Sequence, residues 1–417
     1  MKSKRIAYSL CGEGFGHYGR SIGIIKSLAF RFPDHSIDVY CYDYTFDMMT
    51  RDKDLPDNVT VNKIPGFRFR HNKKSKVVFL RTILFSRKNW ITGLKLLWIE
   101  IIRFIIQPVV KLFDKKTTIA YEWTKKYVKD FDLAIVDWEP LIPIICKLRN
   151  KKYISIDSIH LLEYAAYRKE GFSIKDWYYL LVNKLLIKVW SPLSNISLIT
   201  TIYNFKIRNK YASKIYEVGP LVRKEMVEIK DQVVYEDFIL VYVRKVVRAT
   251  ILPVIKKFTS EKIIVFTEDL TEIEREQYSA SHIQFHDVDP KIFVDYLRRS
   301  KAVLSTSGYT LISESVILKK PFFAIVLGGI LGFEQKLSLY SLQKSGCGDG
   351  CTIKDFNIDK LQDFSSKIAH FTEVLQSKDF VDDTERVCDI ISEVISDMSV
   401  FDNFVRILQE RDAMLKG

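Results

Sequence analysis

The sequence predicts an α/β protein in which two doubly wound, Rossmann-like domains face a common cleft. Two series of short apolar strands alternate with helical segments, an order that is typical of parallel sheets. A charged stretch that is poor in aromatic residues, 223–236, separates the two series as a linker would. With 417 residues, the chain is long enough for each domain to bury its own core.

Cysteine usage and the first residues indicate the compartment. The six cysteines are scattered and form no disulfide framework, which favours reduced thiols and a cytoplasmic protein. Cys347 and Cys351 have no second pair or nearby histidine to complete a zinc site, so no metal is predicted there. The apolar run after the basic residues at 1–5 is interrupted at 11–13, too early for a signal peptide.

The first strand and the loop after it form the most distinctive motif. Residues 5–10 are apolar and β-prone, 11–20 are dense in glycine, and 21–32 have helical periodicity. In this order, backbone N–H groups and a helix N-terminus face an anionic or oxygen-rich ligand. The spacing differs from a dinucleotide-binding fingerprint, because His17 stands where the third glycine would fall. His17 either caps the loop or acts as a base near neutral pH.

Two further strands, at 37–42 and 59–64, precede a strongly basic insert at 68–116. The insert contains thirteen Lys or Arg and two acids, so it carries most of the chain's net charge of +13. Bulky apolar residues lie between these charges, but Lys95 and Arg103 interrupt any run that could span a bilayer. The pattern fits a core-facing helix pair or a helix on an anionic membrane surface, and the charge density favours the membrane. No nucleic-acid-binding motif accompanies it, so nucleic acid is not the expected partner.

Acidic residues follow two predicted strands of the first series. Asp137 and Glu139 come after the strand at 133–136, and Asp157 follows the strand at 153–156. Open α/β sheets bind ligands beyond the carboxyl ends of their strands, so these carboxylates are candidate site residues. Solvated loop acids would give the same pattern. Strands at 197–201 and 216–219 complete the first series, and the second has strands at 238–243, 262–266, 283–286, 302–305 and 322–326.

A second constellation lies near the end of the second series. Ser307, Gly308 and Thr310 follow a strand and open a predicted helix, which gives hydroxyls and free N–H groups at a helix N-terminus, suited to a diphosphate. Glu314 is one turn further along, where a carboxylate can accept hydrogen bonds from ribose hydroxyls. The pair Glu334-Gln335 starts another helix, and an acid beside an amide suits the hydroxyls of a sugar.

These two motifs resemble those of GT-B glycosyltransferases. Ser-Gly-x-Thr-x-x-x-Glu, then a strand, then Glu-Gln on a helix, is similar to the donor half of this group, and Gly-x-Gly-x-Gly-His is similar to its acceptor-side loop. The lipid-linked N-acetylglucosamine transferases of peptidoglycan synthesis are members with similar loops. The resemblance covers most of the chain by organisation.

The resemblance implies a role for each matched residue. His17 would be the catalytic base on an acceptor-side loop, with Glu13 as the alternative base and Asp137 or Glu139 as an orienting partner. Glu314 would bind the ribose. The remaining implied roles are the acceptor loop (Gly12, Gly14, Gly16), the donor diphosphate (Ser307, Gly308, Thr310) and the sugar (Glu334, Gln335). Val243-Arg244-Lys245 departs from the glycine or serine that relatives commonly have there. Either the charge of Arg244 or Lys245 aids the leaving phosphates, or this loop is remodelled. Thr306 stands where retaining members have a second glutamate, so inversion is expected.

The expected organisation follows from the same resemblance. Residues 1–220 would form the acceptor-side domain, 221–236 the linker, 237–385 the nucleotide-sugar-binding domain, and 386–417 helices that cross back to the first domain. The implied enzyme is a hexosyl- or N-acetylhexosaminyltransferase that uses a nucleotide-diphosphate sugar, with UDP the expected nucleotide. No cofactor or metal is implied. The acceptor would be a lipid-linked, glycolipid or polysaccharide hydroxyl, met by a protein held peripherally on the inner face of the cell membrane.

Two other functions are compatible with these motifs. A nucleotide-sugar 2-epimerase can have the same fold, but it would need more paired carboxylates in the cleft and no membrane-facing insert. A non-catalytic protein that binds membrane or nucleic acid on a degenerate transferase fold is the second alternative, and the unusual loop at 243–245 favours it slightly.

Overall fold

The computed structural model describes residues 3–12, 15–64, 126–166, 173–191, 194–329 and 332–416. The basic insert predicted at 68–116, together with Glu13 and Gly14 of the first loop, lies outside these described residues.

The first sheet has seven parallel strands in the order β3-β2-β1-β4-β5-β6-β7. Its central strands are buried almost throughout, which is why they read as continuous apolar runs instead of alternating ones. The strands are β1 Arg5–Leu10, β2 Ser36–Cys41, β3 Val59–Lys63, β4 Leu133–Asp137, β5 Lys152–Asp157, β6 Ile196–Thr200 and β7 Ile215–Val218.

The second sheet has six parallel strands in the order β10-β9-β8-β11-β12-β13. In each sheet the chain changes direction once, between β1 and β4 and between β8 and β11, and ligands bind at such switch points in open α/β sheets. The strands are β8 Ile239–Tyr242, β9 Ile263–Phe266, β10 Ile283–His286, β11 Ala302–Thr306, β12 Phe322–Val326 and β13 Gly348–Thr352.

Helices connect the strands and cover both faces of each sheet. In the first half these are α1 Phe15–Arg31, α2 Asp43–Arg51, α3 Leu141–Leu148, α4 Leu161–Tyr164 and α5 Ile174–Trp190. Those that follow are α6 Lys224–Ile229, α7 Lys245–Lys257, α8 Glu272–Tyr278, α9 Pro290–Arg299, α10 Tyr309–Ile317, α11 Gly332–Ser345, α12 Ile358–Ser366, α13 Ile368–Ser377, α14 Thr384–Ser396 and α15 Phe404–Lys416. Short 3-10 helices occupy Asn209–Lys214, Lys230–Gln232 and Met398–Asp402.

The last two helices pack against the first sheet, not the second. Side chains of α14 and α15, such as Ile391 and Phe404, belong to the same buried cluster as Ile24 of α1 and Val39 of β2. Arg31 at the end of α1 pairs with Asp389 of α14 at 2.6 Å. The predicted crossing of the C-terminal helices back to the first half is therefore present.

The two crossings between the halves run side by side. The backbone N–H of Gly219 donates to Asp383 Oδ2 at 2.6 Å, and the N–H of Asp383 donates to Pro220 O at 3.0 Å. The N–H of Val222 donates to Asp382 Oδ1 at 3.0 Å. These bonds join the segment that leaves the first half to the segment that returns to it.

Two elements differ from the sequence expectation. The linker predicted at 221–236 contains α6, and Met226 of this helix is buried in a core cluster of the second sheet. Strand β13 has no sequence signal, because its Gly348 and Gly350 have low strand propensity. Both glycines are needed there, since a Cβ at either would overlap the backbone of β12.

Candidate functional site

The switch point of the first sheet brings His17 and Asp137 together. Leu10 at the end of β1 is in register with Asp137 at the end of β4, and α1 begins five residues later at Phe15. His17 Nδ1 lies 2.8 Å from Asp137 Oδ1. The His17 side chain is 17% exposed, while that of Asp137 is 1% exposed, so the imidazole lies between a buried carboxylate and the open cleft.

Two further residues of α1 hold the Asp137 carboxylate. Arg20 Nε donates to Asp137 Oδ2 at 2.8 Å, and its terminal nitrogen contacts Oδ1. Ser21 Oγ donates to Oδ2 at 3.0 Å. Burial opposes the charged form, but the charges of Arg20 and His17 and their hydrogen bonds hold the pKa of Asp137 well below its usual range. Asp137 is therefore a fixed anion beside the imidazole.

The tautomer of His17 decides what this arrangement can do. Arg20 also places a nitrogen 2.9 Å from His17 Nδ1, but a guanidinium only donates, so Nδ1 either donates to Asp137 or accepts from Arg20. When Nδ1–H donates to Asp137, Nε2 carries the lone pair that a general base requires, and the carboxylate stabilises the imidazolium formed by proton uptake.

Glu139 lies close to Asp137 in sequence but has a different role. Its two carboxylate oxygens accept hydrogen bonds from the backbone N–H groups of Leu141 and Ile142, at 2.7 and 2.9 Å, so they cap α3. Burial raises the pKa of Glu139 to about 7, although these donors favour the charged form. Trp138 between the two acids has a φ of 50°, a left-handed conformation that is uncommon for a bulky residue. Of the two candidate orienting carboxylates, the structure places Asp137 against His17.

The glycines of the first loop permit close packing. A Cβ at Gly12 would overlap Tyr42, and a Cβ at Gly16 would overlap Thr310 Oγ1 on α10 of the second half. Gly16 therefore lets the start of α1 lie directly against the start of α10. Glu13 and Gly14 fall outside the described residues.

The predicted diphosphate residues lie at the N-terminus of α10. Gly308 is its N-cap and is exposed, whereas Ser307 is buried and its hydroxyl donates to Gln335 O at 2.9 Å. Thr310 lies directly against Gly16 at the start of α1. The helix end can present its free N–H groups to an anion here, because no side chain caps it.

Glu314 forms a buried, bidentate ion pair with Arg223. Arg223 Nε and Nη2 donate to Oε1 and Oε2 of Glu314, at 2.6 and 2.9 Å. Burial opposes the charge of Arg223, but Glu314 raises the pKa of Arg223 above its usual range. Each carboxylate oxygen has a second lone pair that can still accept a hydrogen bond.

The two residues proposed for the sugar differ in their freedom. Gln335 Oε1 accepts a hydrogen bond from the backbone N–H of Leu327 at 2.7 Å, which leaves the amide NH₂ as its donor. Burial raises the pKa of Glu334 to about 7 against the opposing charge of Arg20, and Asp157 and Asp137 raise it further. Glu334 of the second half therefore lies within electrostatic reach of the His17–Asp137 cluster.

Arg244 and Lys245 follow β8, at the switch point of the second sheet. Arg244 is exposed, and Lys245 pairs with Asp269 at 3.1 Å. Two other residues of the site, Arg20 and Arg223, were not predicted from the sequence. Arg20 was missed, although it follows His17 by one helical turn and a spacing of three places both on one helix face. Arg223 has no sequence signal, because its partner lies 91 positions away.

Metal sites and membrane spans were sought in the described ranges. Within them, no group of three or more His, Cys, Asp or Glu side chains could hold a metal ion. No helix in the same part of the chain is long and apolar enough to cross a membrane.

Comparison with known proteins identifies relatives by sequence and by structure. The family model described as "Glycosyl transferase family 1" matches residues 4–369. No curated protein is significantly similar to the sequence.

Solved structures share the two-sheet architecture across nearly the whole chain. The glycosyltransferase of kitacinnamycin has 13% identity and a TM-score of 0.57, over 94% of this chain and 99% of that one. MurG of Acinetobacter baumannii has 11% identity and a TM-score of 0.53, over 94% and 99%. UGT89C1 of Arabidopsis thaliana, solved with UDP-L-rhamnose, has 14% identity and a TM-score of 0.51, over 98% and 99%. These similarities confirm the predicted GT-B architecture.

Proposed function

The chain belongs to glycosyl transferase family 1, and we propose that it moves a sugar from a nucleotide-diphosphate sugar to an acceptor hydroxyl with inversion of the anomeric carbon. The observation that carries the proposal is the contact between His17 Nδ1 and the buried Asp137 carboxylate at the edge of the cleft. This contact supports a base on one side of the cleft, and the N-terminus of α10 supports a diphosphate seat on the other.

The proposed reaction is a single displacement. His17 Nε2 takes the proton of the acceptor hydroxyl as the acceptor oxygen attacks the anomeric carbon from the face opposite the leaving group. The bond between that carbon and the diphosphate oxygen breaks, and the nucleoside diphosphate leaves with the electron pair. Asp137 stabilises the imidazolium, and Arg20 and Ser21 keep the carboxylate in place.

The proposed donor contacts lie in the second half of the chain. Free N–H groups at the start of α10 would stabilise the charge of the leaving diphosphate without a metal. Glu314, oriented by Arg223, would accept from the ribose hydroxyls. Glu334 and the Gln335 amide would bind the sugar. UDP is the nucleotide we propose, supported by the UDP-L-rhamnose in the Arabidopsis structure, and the sugar would be a hexose or an N-acetylhexosamine.

The proposed acceptor is a lipid-linked, glycolipid or polysaccharide hydroxyl of the cell envelope. The support is the basic, apolar-rich composition of residues 68–116, which suits an anionic membrane surface. The enzyme would then work in the cytoplasm as a peripheral protein on the inner face of the cell membrane.

Replacing His17 by alanine tests the proposed base. Turnover should fall about 10²- to 10⁴-fold, the usual contribution of general base catalysis, while calorimetric affinity for the nucleoside diphosphate stays within about twofold. His370→Ala, at an exposed site on α13, is the matched control and should change neither. Unchanged turnover in His17→Ala would exclude this residue as the base. Epimerised donor formed in the absence of acceptor would favour the 2-epimerase instead.

A further inference from the structure

Helix α5 exposes a row of large apolar side chains. Tyr178, Leu181 and Leu185 are more than half exposed, Ile174 is 90% exposed, and Trp177 is about half exposed. At 100° per residue these five positions fall within a sector of about 100° on one side of the helix. The opposite side carries Leu180, Asn183 and Ile187, which are buried. The helix therefore lies along the first half with one apolar side packed and a second one facing outward.

The charges of α5 are sorted around this apolar face. Its three lysines, Lys175, Lys184 and Lys188, lie beside the exposed apolar row or at its end. Lys175 and Lys188 are exposed and supply the outward charge, whereas Lys184 is 18% exposed and pairs with Glu163 at 3.6 Å. The one acid of the helix, Asp176, points to the other side, where it pairs with Lys336 of α11. The outward side of α5 thus combines bulky apolar groups with positive charge and has no acid.

We infer that the outward face of α5 docks on a membrane surface rich in anionic lipid. A helix of this kind lies in the interfacial plane, with its apolar side chains among the acyl chains and its lysines at the head groups. Tyr and Trp at such a face favour the interface, because their rings are apolar and their polar atoms remain hydrated. A second copy of the chain fits less well, since it would bring the same lysines against each other. The inference rests on the proposed membrane association and names the surface that makes contact.

The position of α5 relates this surface to the cleft. The ion pair between Asp176 and Lys336 joins the start of α5 to α11, and Glu334 lies two residues before Lys336. Because Asp176 points away from the outward face, a membrane under α5 would lie one helix diameter, ~10 Å, from α11. That distance is within reach of an acceptor whose lipid tail remains in the bilayer.

A triple variant tests the surface directly. Ile174→Ala, Leu181→Ala and Leu185→Ala together remove exposed apolar area but keep a good helix former, so folding should be unaffected. Binding to vesicles of phosphatidylglycerol and phosphatidylcholine, measured by sedimentation, should weaken at least about tenfold. The matched control, Ile273→Ala with Ile292→Ala, removes exposed apolar groups from α8 and α9 and should bind as the wild type does.

A fluorescent probe reports the contact independently. All six native cysteines are buried, so a cysteine introduced by Leu181→Cys can be labelled selectively with an environment-sensitive dye. Adding anionic vesicles should shift its emission to the blue, whereas the same dye on Ile273→Cys should not respond. Unbound protein should be monomeric by light scattering.

The outcomes separate the surface from the wider proposal. If the triple variant binds as the wild type does and the probe is silent, while glutamates at Lys73, Lys74 and Lys76 abolish binding, α5 is not the contact although the membrane association stands. If the wild type binds no vesicles, the α5 contact and the proposed membrane association are both overturned. If the unbound wild type is a dimer that the triple variant dissociates, the face belongs to a second copy and the lipid inference is overturned.

Discussion

At the scale of single residues, Glu139 is an acid that the fold holds in a buried position. Burial raises its pKa to about 7, against a value of about 4.3 in the unfolded chain. Between these two values the folded protein retains a proton that the unfolded chain releases. The free energy of unfolding therefore falls as pH rises through this window and stays low above it.

Glu139→Gln should remove this pH dependence. The amide keeps one oxygen to accept from α3 but never ionises. The difference in unfolding free energy between the variant and the wild type should therefore favour the variant more at pH 8 than at pH 5. The gain should be on the order of 1 to 3 kcal/mol in urea denaturation. Glu272→Gln, at an exposed position, is the control and should leave the free energy of unfolding unchanged at both pH 5 and pH 8. An equal loss at both pH values would show that capping, not ionisation, dominates at Glu139.

The Arg223–Glu314 pair is the second residue-scale prediction. Glu314→Gln leaves the guanidinium without its carboxylate in a buried site, which should cost about 3 to 5 kcal/mol of unfolding free energy. The double variant Arg223→Met, Glu314→Leu should recover most of this stability. Donor affinity should stay low in both, because the proposed ribose contact is lost. Recovery of affinity together with stability would contradict the ribose role.

At the scale of elements, the contact between α1 and α10 depends on Gly16. Gly16→Ala should lower the free energy of unfolding by about 1 to 3 kcal/mol, because the added methyl overlaps Thr310 Oγ1. Gly23→Ala is the matched control on the same helix. Its methyl would meet Thr384 at an ordinary 3.6 Å, so the better helix former should stabilise the protein by up to about 1 kcal/mol. Thermal unfolding of both variants gives the comparison, and equal shifts would refute the close contact.

Elements with a strong local signal were predictable from the sequence. β1, β10 and β12 have the predicted bounds. For β1 and β12 the signal is a run of mostly apolar residues, because these strands are buried on both faces. β13 was not predictable, since its glycines are selected by the neighbouring backbone of β12 and not by strand propensity.

The site was predictable only in part, for a related reason. His17 and Asp137 each follow a strand, so their meeting at a shared sheet edge could be expected. The choice of Asp137 over Glu139 depends on the left-handed turn at Trp138, and the partner of Glu314 depends on the tertiary path of the crossing segment. Neither the turn at Trp138 nor the path of the crossing segment leaves a local pattern in the sequence.

At the scale of the whole molecule, the C-terminal helices belong to the stability of the first half. Ile391→Ala, at a fully buried position of α14, should cost about 2 to 5 kcal/mol. Hydrogen exchange followed by mass spectrometry should show earlier loss of protection in β1 and β2 than in β8 and β11. Leu361→Ala, buried in the second half, should give the reverse order. Uniform loss in both sheets would mean that the halves unfold as one unit.

The return of the chain to its first half also has a consequence for its synthesis. One face of the first sheet is covered partly by α1 and partly by residues 384–408, so the second part of its cover is missing on the ribosome until the entire second half has been translated. The core clusters of the second sheet contain no described residue beyond 380, so all of their side chains are synthesised before residues 384–408. Translation therefore begins with the first half, but native packing can be completed first in the second half.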